Sequence, residues 1–235
     1  EIGTGDWSSD VCLPISLAQS FVEASSQEVF TVAVVHFKSK ASPCDEVGDP
    51  DTGDGQGNCN VTRTNAAEQV AAWMATNPTN SNSQSHFVIG DFNAYAMEDP
   101  IVAMNNAGYT RETLDYSFVF AGQFGSLDYV FASTGLSAFV TGQGSWHINA
   151  DEPDAIDYNT MVDGSPRPAG IFTGNEFRSS DHDPVIVGLY LDAPFTEAPA
   201  QARIDRVEGD SSAITLFVSV ADNGGAPITS IAAAC

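Results

Sequence analysis

The stretch that decides the fold is the eight-residue run His86-Phe87-Val88-Ile89-Gly90-Asp91-Phe92-Asn93. Its apolar first half has the composition of a buried β-strand, and polar side chains follow directly. Because side chains alternate along a strand, we expect Asp91 and Asn93 to project to the same side. Polar groups at the mouth of a buried strand are a common setting for metal and phosphate chemistry. The run therefore predicts a core strand that carries a functional site at its end.

A second stretch has the same character with the order reversed. Ser179-Ser180-Asp181-His182-Asp183-Pro184 leads into the apolar run Val185–Leu191. An acid and a histidine thus stand at the entrance of another predicted strand. We expect Asp181 and His182 to contribute to the same site as Asp91 and Asn93.

The remaining elements alternate between strand and helix patterns. We predict a buried strand at 29–37, a helix at 62–76 that ends before Pro78, and a short helix with Asp99 as N-cap that Gly108 ends. Further strands are predicted at 116–120, 127–132 and 184–191, and residues 142–180 as mostly irregular. This order argues for a layered α/β or α+β domain.

The chain is strongly acidic. It has 8 Lys and Arg against 31 Asp and Glu in 235 residues, which gives a net charge of -23. Such a protein does not bind polyanions through bulk electrostatics, so a basic-patch DNA binder is excluded. A phosphate-bearing substrate would need a divalent cation to offset the local repulsion. No apolar run approaches the roughly 18 residues of a membrane span.

Two of the four cysteines flank a loop that lacks hydrophobic content. Cys44 and Cys59 enclose fourteen residues rich in Asp, Gly and Asn. A disulfide would hold such a loop, so we predict a Cys44–Cys59 bond and an oxidising compartment. A pair of free thiols is the alternative.

The two ends of the chain differ in character from its middle. Asp6–Cys12 resembles the translation of a sequencing-library adapter, so we interpret residues 1–12 as a non-native segment, with an ordinary N-terminal arm as the alternative. Residues 13–192 form the main domain and 193–200 read as a linker. Residues 201–235, with predicted strands at 213–220 and 228–234, resemble the start of a fibronectin type III β-sandwich module.

Four motifs in the main domain occur in the order of the endonuclease/exonuclease/phosphatase superfamily, which has the DNase I-like fold. They are His36-Phe37-Lys38-Ser39-Lys40, Gly90-Asp91-Phe92-Asn93-Ala94-Tyr95, Ser126-Leu127-Asp128-Tyr129-Val130-Phe131 and Ser180-Asp181-His182-Asp183-Pro184. Three further runs, at 55–60, 146–153 and 177–182, resemble the secreted bacterial extracellular nucleases. The resemblance implies an α+β fold, namely the C-terminal half of a four-layer αββα sandwich.

The resemblance also implies a role for each matched catalytic residue. Asp91 would orient or deprotonate the attacking water, and Asn93 would hold a non-bridging phosphate oxygen. His182 would contact the phosphate as part of the acid/base pair, and Asp128 would orient His182 and stabilise its charge. His36 would be the second catalytic histidine.

Metal and substrate contacts complete the expected site. Asp181 would lie at the metal, for which hard oxygen ligands favour Mg²⁺ or Mn²⁺, with Ca²⁺ as a further candidate. Lys38, Arg63 and Arg178 are candidate phosphate contacts, with solvated surface charge or structural salt bridges as alternatives. His147, Asn149, Asp151 and Glu152 could bind Ca²⁺ or substrate, although a hydrogen-bonded loop is the favoured interpretation.

The predicted function is that of a fragment of a secreted, metal-dependent nuclease that hydrolyses DNA, with RNA as a second substrate. Nothing in residues 1–28 matches the metal-binding Glu that the superfamily carries before the His36 strand. We therefore expect an incomplete metal site, an inactive fragment and a sheet with one uncovered face. Two alternatives stay open: a phosphatase or sphingomyelinase-like phosphodiesterase, and a non-catalytic Ca²⁺-binding surface or adhesion module.

Overall fold

The fold was analysed in a computed structural model, which describes residues 15–157, 161–162, 165–166, 175–191, 203–209 and 214–219. The chain divides into two compact units, Glu1–Leu189 and Tyr190–Cys235. The segment 1–12, the linker 193–200 and the predicted strand at 228–234 lie outside the described residues. The domain assignments made from the sequence stay predictions.

The elements are numbered in chain order. The strands are β1 (Ile15–Val22), β2 (Val29–His36), β3 (His86–Asp91), β4 (Tyr109–Arg111), β5 (Phe118–Phe120), β6 (Gln123–Gly125), β7 (Asp128–Ser133), β8 (Val140–Ser145), β9 (Met161–Val162), β10 (Ser165–Pro166), β11 (Val185–Leu189), β12 (Arg203–Gly209) and β13 (Ile214–Ser219). The α-helices are α1 (Asn60–Ala75), α2 (Asp99–Asn106) and α3 (Thr134–Ser137). This mixture confirms the predicted α+β class.

A five-stranded sheet with the order β1-β2-β3-β7-β4 forms the centre of the first unit. Strand β3 runs parallel to β2 and antiparallel to β7. The register places His36 beside Asp91 and Asp91 beside Asp128. Three of the predicted catalytic residues therefore stand in one row across three neighbouring strands.

The hydrophobic core lies between this sheet and helices α1 and α2. Buried side chains from the strands, among them Val35, Val88 and Phe131, meet Met74 of α1 and other apolar residues of both helices. Phe92 is fully buried, and its ring packs against the rings of Phe37, Tyr129 and Phe131 at centroid distances of 4.8–5.7 Å. This packing fixes the chain directly after Asp91.

Helix α1 is close to its predicted span, and α2 differs from its prediction in one detail. Glu98 rather than Asp99 is the N-cap of α2, and Asp99 and Pro100 lie in the first turn, where proline needs no amide partner. Gly108 has a φ of +88° just after the helix, which agrees with its predicted role as a stop.

Strand β1 was not predicted from the sequence. It pairs antiparallel with β2 and leaves apolar side chains on one face of the sheet exposed: Leu17 by 64%, Phe21 by 47% and Val34 by 47%. Because Leu17 lies opposite Val34 and Phe21 opposite Phe30, these side chains share a face. This exposure agrees with the expected uncovered face.

Two smaller strand pairs matter for the site. Strands β5 and β6 form a hairpin, and β8 pairs antiparallel with β11. Strand β8 extends to Ser145, so the region predicted as irregular begins later than expected.

In the second unit, β12 pairs antiparallel with β13, and β12 had not been predicted. Within the described part of the chain, no helix is both long and apolar enough to span a membrane.

Candidate active site

The row of His36, Asp91 and Asp128 is closed by His182, which arrives from the segment before β11. The Nδ1 atom of His182 lies 2.6 Å from Oδ2 of Asp128, and Nε2 of His36 lies 3.4 Å from Oδ2 of Asp91. Two carboxylates and two imidazoles thus surround one point at the end of the sheet. The motifs that the sequence separates by up to 146 residues converge there.

Asp91 is held by the backbone and side chain of Asn93. The amide N–H of Asn93 donates to Oδ1 of Asp91 at 2.7 Å, and its Nδ2 donates to Oδ2 at 2.9 Å. Asn93 adopts a φ of +48°, a left-handed conformation that asparagine tolerates well. The second Nδ2 hydrogen bond goes to the carbonyl of Phe37 at 3.1 Å.

These bonds change the role expected of Asn93. A side-chain amide has two N–H donors, and both are used within the protein. The structure therefore does not support a direct phosphate contact through Nδ2. Asn93 instead holds the Asp91 carboxylate in a fixed orientation.

Gly90 allows the two strands to approach closely behind Asp91. It has a φ of +133°, and a Cβ atom built there would lie 2.0 Å from the carbonyl oxygen of Val35. Any side chain at this position would push β3 away from β2. Glycine is thus required for the His36–Asp91 juxtaposition.

Ser117 is a site residue that sequence reasoning missed. Its hydroxyl is fully buried and donates to Oδ2 of Asp128 at 2.7 Å, while the amide groups of Leu127 and Asp128 donate to the same hydroxyl. Ser117 therefore fixes the orientation of the Asp128 carboxylate independently of the contact with His182. A single serine in a short loop carries no sequence signal that could have revealed this contact.

The site raises the pKa of both Asp91 and His182. Burial, with the nearby charge of Asp128, raises the pKa of Asp91 to about 6. Burial alone would lower the pKa of His182, but the hydrogen bond to Asp128 and the charges of Asp128, Asp91 and Asp181 outweigh it and raise that pKa. The site thus combines a carboxylate that can accept a proton with an imidazole that holds its proton more strongly than a free histidine does.

The site offers donors that suit a hard divalent cation. Ligand atoms of Asp91, Asp128 and His182 lie within 4.8 Å of one another. Both carboxylates are already hydrogen-bonded within the protein, Asp128 through Oδ2 to His182 and Ser117 and Asp91 through both oxygens to Asn93. Asp181 is exposed beside His182 and lies outside this cluster, and its assignment as a metal ligand stays a prediction.

The predicted phosphate contacts of two arginines are not supported. Arg63 is fully buried, and its guanidinium donates to the carbonyl oxygens of Lys38, Gln56 and Asn58. Arg178 is also buried, where it donates to the carbonyls of Asn149 and Ala150. It forms an ion pair with Asp154 at 2.6 Å. Both guanidinium groups hold loops together and are closed to a substrate.

The two lysines after β2 differ from each other. Lys38 is partly exposed beside the row of catalytic candidates, and its predicted substrate contact stays a prediction. Lys40 forms an ion pair with Glu98, and its Nζ lies 4.3 Å from the centroid of the Tyr95 ring. Its charge is therefore compensated within the protein.

The predicted disulfide is present. Cys44 and Cys59 are bonded, with 5.4 Å between their Cα atoms, and both side chains are buried. The loop that they close contains Gln56 and Asn58, whose carbonyls bind Arg63. Covalent and polar contacts together fix this loop against the start of α1.

An open groove with a volume of about 620 Å³ runs beside the site. Its walls come from the disulfide loop, from the segment after Asn93 and from β6, with Tyr95, Phe124 and Ser126 among them. Phe124 is 61% exposed, so the groove presents an aromatic surface. Acidic side chains line it at Asp54 and Glu98, the latter compensated by Lys40.

Comparison with known proteins finds likeness in structure alone. No protein-family model matches the chain, and no curated protein sequence matches it. Similar solved structures include a mannosyl-6-phosphatase of Bacteroides thetaiotaomicron, at 17% identity and a TM-score of 0.48, over 76% of this chain and 57% of that one.

Two further structures are similar over a smaller share of the chain. An endonuclease/exonuclease/phosphatase family protein of the same bacterium has 15% identity and a TM-score of 0.43, over 57% of this chain and 44% of that one. A beta toxin of Staphylococcus aureus with bound magnesium ions has 13% identity and a TM-score of 0.36, over 51% and 42%. The chain thus spans about half the length of these structures.

Proposed function

We propose that this chain carries one wall of a divalent-metal-dependent phosphodiesterase site, with DNA as its leading substrate and RNA as a second one. The observation that carries the proposal is the row His36–Asp91–Asp128, closed by the 2.6 Å contact between His182 and Asp128. Each member comes from a motif that resembles the endonuclease/exonuclease/phosphatase superfamily. A purely structural cluster would not need two partly exposed histidines beside two acids.

Each residue has a role that follows from its contacts. Asp91, whose pKa is raised to about 6, would orient the attacking water and take its proton, while Asn93 keeps the carboxylate in place. His182 would bind the phosphate, with its charge stabilised by Asp128. His36 is 62% exposed and free to contact the phosphate or the leaving oxygen.

A cation would complete the electrostatics. Asp91 and Asp181 would hold Mg²⁺ or Mn²⁺, with Ca²⁺ as a further candidate, and the ion would supply positive charge to the phosphate. The chain needs this charge because its net charge is -23. Among the described residues, Lys38 is the candidate phosphate contact whose charge no ion pair compensates. One such positive charge is not enough to bind a polyanion.

We also propose that full activity needs ligands from outside the described residues. The resemblance implies a metal-binding Glu that precedes the His36 strand. Among the described residues, the acidic and histidine ligands that cluster here are Asp91, Asp128 and His182, without a glutamate. Activity is therefore best sought in the protein together with any upstream sequence that its gene encodes, and the 235-residue chain serves as the comparison.

The test is a cleavage assay with a panel of substrates. Supercoiled plasmid, single-stranded RNA, sphingomyelin and a phosphate monoester would be incubated with Mg²⁺, Mn²⁺ or Ca²⁺, and with EDTA as the metal-free reference. We expect plasmid cleavage that EDTA abolishes and that Asp91→Asn reduces at least about 100-fold. Glu176→Gln, an exposed acid in the segment before His182, is the matched control and should keep full activity.

The panel separates the candidate functions. Turnover of sphingomyelin or of the monoester alone would overturn the nuclease assignment and leave a phosphodiesterase or phosphatase. Absence of turnover on every substrate, together with Ca²⁺ binding, would overturn the enzyme assignment. Robust Asp91-dependent cleavage by the 235-residue chain would overturn the proposal that it needs further ligands.

We further propose an extracellular location. The buried Cys44–Cys59 bond supports it, because such bonds form and persist in oxidising compartments. Detection of the protein in the culture medium of its host would support this proposal. Its retention in the cytosol with Cys44 and Cys59 reduced would overturn it.

A further inference from the structure

One buried acid next to the site has no part in the chemistry proposed above. Asp183 follows His182 directly, and its side chain is fully buried. Its Oδ1 accepts hydrogen bonds from three successive backbone amides, those of Ile148, Asn149 and Ala150, at 2.9–3.1 Å. A carboxylate bound by three N–H groups is the hub of the loop that surrounds it.

The second oxygen of Asp183 is bound by a histidine. His147 Nδ1 lies 2.7 Å from Oδ2 of Asp183, and its Nε2 lies 3.1 Å from Oδ2 of Asp115. Both ring nitrogens face carboxylates, so both act as donors. The ring also stacks on that of Tyr116, with 3.9 Å between centroids and 11° between planes.

These contacts reach the backbone of His182 from both sides. Asn149 Nδ2 donates to the carbonyl of His182 at 2.7 Å, and the amide of Asp183 donates to the carbonyl of Ser117 at 2.8 Å. The hydroxyl of the same Ser117 binds Asp128, which in turn binds His182. A closed ring of covalent and hydrogen bonds thus links His182, Asp183, Ser117 and Asp128.

We propose that Asp183 is a positioning residue for His182, and that Asn149 and His147 act through it. This inference rests on the phosphodiesterase function proposed above. Asp183 ties the loop 146–150 to the segment 179–184, and Asn149 fixes the carbonyl of His182 within that frame. The imidazole of His182 is then presented to Asp128 in one orientation.

The geometry explains why the position needs a hydrogen-bond acceptor. A neutral, apolar side chain at 183 would leave three amide N–H groups and the His147 ring without their acceptor in a buried place. The loop would have to open to hydrate them, and His182 would lose its support. A displacement of about 1 Å at a catalytic group can reduce turnover on the order of 100-fold.

The activity test compares four variants of the protein, each with any upstream sequence that its gene encodes. We expect Asp183→Ala and Asn149→Ala to lower kcat on plasmid DNA about 100-fold and about 10-fold, with KM changed less than about threefold. Asp183→Asn keeps an acceptor for the three amides and should recover kcat to within about tenfold of the native enzyme. Glu176→Gln is the control and should match the native enzyme.

A spectroscopic test does not depend on turnover. In the 235-residue chain, NMR would follow the Nδ1 proton of His182, which the bond to Asp128 should protect from solvent exchange and shift to low field. We expect this signal to be lost in Asp183→Ala and kept in Asp183→Asn and Glu176→Gln. If Asp183→Ala does not fold by circular dichroism, Asn149→Ala takes its place in both tests.

The two tests separate the inference from the function on which it rests. An unchanged His182 signal in folded Asp183→Ala, or a loss confined to KM, would overturn the positioning role. A lost signal supports the positioning role even where the native protein cleaves none of the substrates, a result that would overturn the proposed function alone.

Discussion

His182 Nδ1 lies 2.6 Å from Asp128 Oδ2, although 54 residues separate the two in the chain. Asp128 is the first residue of β7, and His182 reaches it from the segment before β11. Ser117 holds the far side of the same carboxylate oxygen. This pair joins two distant motifs and sets the charge of the site.

Removal of the Asp128 charge should lower the pKa of His182. That pKa is raised because the hydrogen bond and the charges of the carboxylates outweigh the effect of burial. In Asp128→Asn the largest favourable contributions are gone and burial remains, so the imidazolium should lose its proton at a lower pH. An NMR titration of the His182 ring in the 235-residue chain measures the change.

Asp115→Asn is the matched control for this titration. Asp115 binds His147 and contributes to the raised pKa of that histidine. The substitution should lower the pKa of His147 and leave that of His182 where it is. Equal effects of both substitutions on His182 would show that a general field, rather than the Asp128 contact, sets its charge.

Asp91→Asn should stabilise the metal-free protein at neutral and alkaline pH. The folded pKa of Asp91, about 6, lies above its ordinary value of 3.8, so the native state loses stability as the pH rises between these values. The asparagine variant cannot ionise and should be more stable by about 3 kcal/mol above pH 7. Urea unfolding in EDTA, at several pH values, measures the difference.

The gain should fall as the pH is lowered from 6 and disappear below about pH 3, where Asp91 is protonated in both states. Asp45→Asn, in an exposed turn, is the control and should show no such crossover. A gain that stays constant from pH 4 to pH 8 would mean that ionisation of Asp91 does not cost stability.

Arg63→Ala should destabilise the protein and leave its substrate affinity unchanged. The substitution removes a buried guanidinium that donates to three partly buried carbonyl groups, which costs on the order of 3 kcal/mol. Lys38→Ala should do the opposite, with normal stability and a higher KM that depends on salt concentration. Chemical unfolding and initial rates on plasmid DNA distinguish them, and a salt-dependent KM in Arg63→Ala would restore its role in substrate binding.

Loss of the disulfide should destabilise the first unit. For a sequence separation of 15 residues, the entropy of the closed loop corresponds to about 3 kcal/mol. The double variant Cys44→Ala/Cys59→Ala should unfold at a correspondingly lower urea concentration. Dithiothreitol should destabilise the native protein to the same level and have no effect on the variant; equal stability with and without the bond would contradict the prediction.

Gly90→Ala should prevent folding or cost more than about 4 kcal/mol, because the new Cβ would lie 2.0 Å from the carbonyl oxygen of Val35. Gly122→Ala separates the steric effect from the dihedral effect. Gly122 also has a positive φ, +76°, but open space lies around its Cβ position. The free energy of unfolding of that variant should fall by only about 1–2 kcal/mol. Similar losses in Gly90→Ala and Gly122→Ala, measured by thermal unfolding, would contradict the predicted clash.

Sequence patterns were sufficient for the core strands and for four residues that the structure brings together, namely His36, Asp91, Asp128 and His182. The apolar runs at β2, β3 and β7 predicted buried strands, and the polar residues at their ends predicted the site. Strand β1 escaped prediction because its exposed face carries Leu17 and Phe21, which blur the alternation that marks a half-buried strand. The sequence left phosphate contact and a structural salt bridge both open for Arg63 and Arg178, because charge type does not reveal burial, and the buried positions agree with structural roles.

The sequence by itself determined which side chains are available and which local elements they end. Apolar periodicity and glycine or proline positions act over a few residues, so they can be read from the chain directly. Only the tertiary structure decided that His36, Asp91 and Asp128 stand in register and that both amide protons of Asn93 are used. It also decided that the Ser117 hydroxyl binds Asp128 and that the Asp183 amide binds the Ser117 carbonyl. These relationships depend on strand register and on contacts between residues far apart in the chain, which no local pattern encodes.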